Sequence, residues 1–262
     1  MRTNCSMHVF RVMPSFIHIY AVCSFTIQKK RNTMKIVKPF HGQMSDSFRA
    51  AFFIILSGGF QDAYTYMCRG GVFANAQTGN IVLLSTALFQ KEWPTVLKYL
   101  IPIISFLVGT AVAEYVHIRL KSYEKIHWRQ IILLGEIMLL FIVGCLPPFI
   151  EPLANALVSF VCAMQVQTFH KIRGHAYAST MCIGNLRAGT EALCAYFRVR
   201  NKEILHKALT YFGVILVFGF GAGLGSILTL ALGYKAIWLC CILLSVSFAM
   251  MFVPERQNKT LR

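Results

Sequence analysis

Acidic residues are scarce in this chain. Of 262 residues only 10 are Asp or Glu, against 26 Lys or Arg, and charged residues of both signs make up 14%. A soluble domain carries roughly 25% charged residues, so a chain this poor in charge and 56% hydrophobic reads as an integral membrane protein. Catalytic motifs are missing as well: there is no HExxH, no GxSxG, no phosphate loop and no paired His–carboxylate spacing. Metalloprotease, serine-hydrolase and nucleotide-hydrolysing chemistry therefore lack their residues, and neither an enzyme activity nor a cofactor is expected. The nine cysteines show no CxxC or Cys/His spacing. Cys68, Cys145, Cys162, Cys182, Cys194, Cys240 and Cys241 fall in or beside apolar runs, the pattern of buried thiols rather than of disulfides or zinc ligands.

What the chain has instead is a succession of apolar runs and a mean hydropathy of +0.57. Runs near twenty residues cross about 30 Å of hydrocarbon at about 1.5 Å per residue. They are read at 48–67, 96–118, 131–149, 153–169, 208–231 and 236–253. Two further segments, 73–88 and 177–197, are shorter or more polar. The net charge of +16 is carried in short loops between the runs. That is the positive-inside pattern of a bilayer protein rather than a phosphate-binding face, so no nucleic-acid partner is expected.

Residues 1–47 differ from the rest. The moderately apolar 12–27 is broken by Pro14 and His18 and runs into Gln28-Lys29-Lys30-Arg31 without a small-residue cleavage site, which argues against a signal peptide. The expectation is a dispensable basic cytoplasmic extension at 1–47, with Met34 or Met44 as an alternative initiator, a helical membrane domain at 48–254, and a cytoplasmic tail at 255–262.

The stretch 58–88, GGFQDAYTYMCRGGVFANAQTGNIVLLSTAL, puts polar groups inside an apolar region. A lone Asp62 in hydrocarbon would cost about 2.5–3.5 kcal/mol on insertion scales, which marks it as functional. Its candidate partners are Gln61, Asn75, Gln77, Thr78 and Asn80, with Thr78-Gly79-Asn80 read as a turn that leaves backbone groups free. The one cation nearby, Arg69, falls near the membrane edge. A second copy runs from Cys162 to Leu193: with one residue inserted, Arg69-Gly70 falls on Arg173-Gly174, Phe73-Ala74 on Tyr177-Ala178, Gly79-Asn80 on Gly184-Asn185 and Ala87-Leu88 on Ala192-Leu193. Internal symmetry of this kind marks many transporters whose site lies between the repeats. The expected solute site is Asp62, Asn75, Gln77, Thr78, Asn80 and Asn185.

Loop charge weighs six crossings against eight. The loops 119–129 and 198–207 and the tail 256–262 are basic, whereas 147–152 carries only Glu151. With eight crossings, loops 119–129 and 171–173 would both lie outside. If 73–88 and 177–197 enter and return on one side, every strongly basic loop falls inside. Each half, about 48–149 and 153–253, then holds an odd number of crossings. The expected architecture is an all-α polytopic membrane protein of two inverted repeats, each with three spanning helices and one re-entrant or short helix; eight full crossings is the alternative.

Other residues carry structural expectations. Glu114 and Arg119 near a span end are expected to snorkel or to pair with each other in a structural role, Glu191 follows Arg187 at i+4, and Glu136 sits about one turn into its helix without an assigned role. The small-residue pairs Gly219/Gly223 and Gly221/Gly225 suit close helix packing, and Trp128 and Trp238 suit interfacial anchors.

On GGFQDAYTY at 58–66, GGVFANAQTGN at 70–80 and the weaker AYASTMCIGNL at 176–186, the chain resembles the YoaK family of bacterial multi-span membrane proteins, a domain of unknown function. The second copy departs from the family at Gln165-Val166-Gln167 and Ile183-Gly184-Asn185. The resemblance implies an inner-membrane, multi-pass protein and supplies no substrate. Residues and resemblance together lead to the expectation of a secondary transporter or channel for a small solute or ion, embedded in the lipid bilayer with both termini cytoplasmic. A non-transporting scaffold or accessory protein is the alternative, and a homo-oligomer is compatible with either.

Overall fold

A computed structural model describes residues 48–120, 128–172, 175–176 and 182–252. The basic extension, the C-terminal tail, and the Arg173-Gly174 and Tyr177-Ala178 matches lie outside the described residues. The fold is a helical bundle: α1 (Phe48–Cys68), α2 (Gln77–Phe89), α3 (Trp93–Leu120), α4 (Trp128–Cys145), α5 (Glu151–Thr168), α6 (Cys182–Val199), α7 (Lys202–Leu232) and α8 (Trp238–Met250). Single 3-10 turns join α4 to α5 (Pro148–Ile150) and α7 to α8 (Gly233–Ile237), and a short antiparallel pair, β1 (Lys171–Ile172) and β2 (His175–Ala176), precedes α6. Four stretches are long and apolar enough to cross a bilayer: Trp93–Leu120, Trp128–Cys145, Pro148–Thr168 and Lys202–Met250, the last holding both α7 and α8. Their outward side chains, among them Leu107, Met138, Phe141, Leu216, Phe220 and Leu230, are exposed. Water would penalise such a surface and lipid tails do not.

Side-chain contacts sort the helix ends into two sets. At one end the Arg69 guanidinium, just past α1, donates to the carbonyls of Val143 (3.1 Å) and Leu146 (3.2 Å) at the end of α4. The Asn155 amide at the start of α5 donates to the Arg69 carbonyl (2.8 Å), and the Tyr64 hydroxyl donates to the Tyr234 carbonyl between α7 and α8 (3.0 Å). At the opposite end Gln167 of α5 donates to Glu114 of α3 (2.7 Å), the His117 and Trp128 rings meet (4.4 Å), and Ser247 of α8 donates to the Ala50 carbonyl of α1 (3.0 Å).

These ends fix how the signature segments run. After α1 the chain reverses through Gly70 and Gly71, whose φ values of 81° and 74° suit glycine. It returns to the level of Asp62 and Gly58 at Asn75, and α2 then carries it back. Lys98, early in α3, lies beside Gly70 and Glu151, so α3 starts at the end where α1 finished. Segment 69–92 therefore enters and leaves by one end. Its helix of 13 residues is about 20 Å long, too short to span. The Thr78-Gly79-Asn80 and Ile183-Gly184-Asn185 signatures, expected as turns, instead form the first turns of α2 and α6. Backbone amides at a helix start need partners from outside the helix, which gives a polar signature the same look as a loop.

Helix pairs come in matched sets. α1 lies on α7 as α3 lies on α5; α2 runs along α3 as α6 runs along α7; α1 touches α8 as α5 touches α4. Glycine sets the tightest of these contacts. A Cβ on Gly59 would strike the Phe218 carbonyl, one on Gly221 the Leu56 carbonyl, and one on Gly109 the Phe160 carbonyl. Of the two expected small-residue pairs only Gly221/Gly225 packs this way, because Gly219 and Gly223 face open space. The anchor expected at Trp128 is also corrected. Trp128 is buried, and Trp238 lies over Gly144, stacks on Phe141 (5.6 Å) and donates to its carbonyl (3.2 Å).

Candidate functional site

A band of buried polar groups crosses the bundle at mid-height. It starts on one face of α1, where i, i+4 spacing brings the Gln61 amide to Ser57 Oγ (2.9 Å). Gln61 Oε1 then accepts from the Cys162 thiol of α5 (3.1 Å). Cys162 is fully buried and lies within electrostatic range of Asp62, Glu136 and Cys240. Cys240 of α8 reaches back to the Ser57 carbonyl (3.9 Å). The Cys162 thiol thus joins α5 to α1 by a hydrogen bond, with acids of α1 and α4 in electrostatic range.

Asp62 has an evident partner. Its Oδ1 accepts from the Asn75 backbone amide (2.7 Å), and the amides of Ala74 and Ala76 face the same carboxyl. The donors lie at the start of α2, where the helix dipole adds positive potential. The Asn75 side chain donates to the Gly58 carbonyl (3.1 Å), so loop and helix are sewn together twice. Cys182 at the start of α6 lies within electrostatic range of the same carboxyl.

Of the six expected site residues, Asp62 and Asn75 belong to this band. Gln77 and Asn80 hold the loop instead: Asn80 accepts from the Phe73 amide (3.0 Å) and donates to the Phe73 carbonyl (2.7 Å) and Gln77 Oε1 (2.9 Å), while Gln77 donates to the Ala74 carbonyl (2.8 Å). Thr78 is exposed and stands apart from the band. Asn185 is buried on the inner face of α6 with Gly189 and Ala192.

The band also holds residues outside the expected site. Glu136 of α4 and Gln165 of α5 are fully buried, and among the described residues neither oxygen of Glu136 and neither polar atom of Gln165 has a hydrogen-bond partner. Ser159 Oγ, one turn from Cys162, is likewise unpartnered. Gln165 falls on Gln61 when the two copies are aligned at a separation of 104, and Glu136 is a lone acid in an apolar helix; both signals are present in the sequence. Nothing in the spacing marks Cys162.

Arg69 does not neutralise Asp62. It is fully buried at one end of the bundle, donates to Tyr64 Oη (3.0 Å) besides the α4 carbonyls, and lies over the Tyr234 ring (4.4 Å). A guanidinium on the carbonyl end of α4 gains from the helix dipole as well as from its hydrogen bonds. Glu114 takes Gln167 rather than the expected Arg119, which lies over Tyr115 (5.3 Å). Arg187 and Glu191 form the expected i, i+4 pair (2.9 Å) on the exposed face of α6.

The family model described as Protein of unknown function (DUF1275) matches residues 50–250, which include both signature segments and nearly all of the bundle. The chain belongs to the DUF1275 family. Within that family's neighbourhood, the UPF0700 transmembrane protein YoaK of Bacillus subtilis (strain 168) is 26% identical over 178 residues, 64% of this chain and 78% of that protein. No solved structure matches. Family membership and the apolar helices make this a multi-pass membrane protein.

Proposed function

We propose that this protein is a secondary transporter or channel for a small solute or ion, working without ATP, with its site where α1, α2, α5 and α6 approach one another at mid-height. The observation that carries this reading is the Asn75 amide on Asp62 at 2.7 Å, delivered by a segment that enters and leaves at one end of the bundle, with Cys182 at the start of α6 within electrostatic range of the same acid. Interrupted helices place unpaired backbone dipoles at membrane depth, where they survive only if buried in protein or lining a solute path. The matched helix pairs support two inverted halves. In the bilayer, the Arg69 end faces outward and the basic loops and both termini face the cytoplasm of a bacterial inner membrane. The same hydrogen bonds around Asp62 also suit a scaffold in which polar groups only glue helices together.

Flux separates the two. The full chain is reconstituted in sealed vesicles with a trapped pH-sensitive dye and challenged singly with amino acids, small carboxylates and monovalent salts. The expected result is that at least one compound changes lumenal pH through the wild-type protein and not through folded Asp62→Asn. A silent panel with folded wild-type protein favours the scaffold, and equal flux through Asp62→Asn removes the assigned site.

A further inference from the structure

Glu136 is the buried acid that the proposed solute site leaves unused. It lies in the third turn of α4 with apolar neighbours Leu133, Leu140 and Val143 on its own helix, all fully buried. The Cys162 thiol of α5 lies within electrostatic range of it and of Asp62, and next to it on α4 the Ile137 carbonyl accepts from the Cys241 thiol of α8 (3.6 Å). Among the described residues no cation bonds either of its oxygens. A buried carboxylate without a counter-charge costs several kcal/mol even after relaxation, a large part of the stability of a typical domain. Its two oxygens, Ser159 Oγ and the Gln165 amide are all unpartnered, and Ser159, Cys162 and Gln165 recur at three-residue spacing along one face of α5. Carboxylate, hydroxyl and amide oxygens are hard donors.

We infer that Glu136 holds a small monovalent cation, a proton or sodium, at the centre of the bundle and is the coupling-ion site of the transporter. The coupling role rests on the function proposed above; cation binding stands by itself. Asp62 is then the fixed anchor of α2, and the Cys162–Gln61 hydrogen bond is the link through which the cation site touches the solute site.

The test uses the full chain in lipid nanodiscs. Sodium chloride replaces choline chloride at constant ionic strength while the unfolding temperature is read, with potassium chloride as control. Infrared spectra are scanned for a protonated-carboxyl stretching band. If the cation is sodium, the melt rises by on the order of 5 °C at concentrations about a hundredfold above Kd, and Glu136→Gln abolishes the rise. If it is a proton, sodium does nothing and a protonated-carboxyl band present in the wild type is missing from Glu136→Gln. Glu136→Asp, which keeps the acid on a shorter arm, covers the case in which the amide variant does not fold; it should retain the wild-type signal in weakened or shifted form. Absence of both signals in the wild type, or their persistence unchanged in Glu136→Gln, overturns the assignment. Cation signals without solute flux would remove the transporter and keep this site; solute flux without them would remove this site alone.

Discussion

Asp62 and Glu136 are both buried acids near one thiol, yet the protein treats them differently. Asp62 is met by backbone amides from a loop that reverses through two left-handed glycines and by the start of a helix. Among the described residues nothing polar bonds Glu136. A carboxylate that accepts backbone amides is part of the framework as well as of the site it lines, because removing it strands its donors. A carboxylate with no bonded partner adds nothing to the framework and costs desolvation, so its retention points to a use. The difference teaches that an intramembrane acid cannot be assigned from its position alone; its donors decide.

The strongest way to break this contrast is Asp62→Leu. The Asn75 amide and its neighbours would lose their acceptor at mid-height. A loss of about 2–4 kcal/mol is expected from stranding buried donors of a charged hydrogen bond. Thermal unfolding in detergent should show it as the largest drop among single substitutions in the band. A variant that melts like the wild type would mean that the loop does not depend on Asp62.

Asn80→Ala sharpens the same side of the comparison with a smaller effect. Asn80 carries three hydrogen bonds, two to the Phe73 backbone and one to Gln77, and so closes the loop that Asp62 anchors. The Phe73 amide would lose its acceptor, and about 1–3 kcal/mol is expected. Thermal unfolding gives the size, and hydrogen exchange should quicken at residues 73–76 before it does in α1. Uniform exchange across both would show that Asn80 supports the whole bundle rather than the loop.

These residues also show what could be read before the fold was known. Asp62 and Asn75 stood out because polarity inside an apolar run is costly wherever it occurs, and the short second segment was separable from a spanning helix by length and loop charge. The Thr78-Gly79-Asn80 turn was misread because a helix start and a turn expose the same kind of unpaired amide, and one sequence does not say which. Thr78 followed from that error, since in a first helical turn it points outward. Glu136 was visible but not interpretable: its meaning depends on burial by the packing of α4 against α5, which a single sequence does not show. Glu114 and Arg119 show the reverse failure, in which near spacing suggested a pair that tertiary packing replaced with Gln167.

The smallest expected effect is the most discriminating, because its sign differs. Glu136→Leu removes a buried acid of similar size and strands no donor, since no hydrogen bond to its oxygens exists among the described residues. Replacing buried charge by apolar volume is neutral or stabilising in cases of this kind, so the melt in choline should stay within about 1 kcal/mol of wild type or rise. In sodium, the wild type should gain on the variant if sodium is the bound cation. Were Glu136→Leu to fall as far as Asp62→Leu in both salts, Glu136 would have to be a second framework acid, and the distinction between the two carboxylates would collapse.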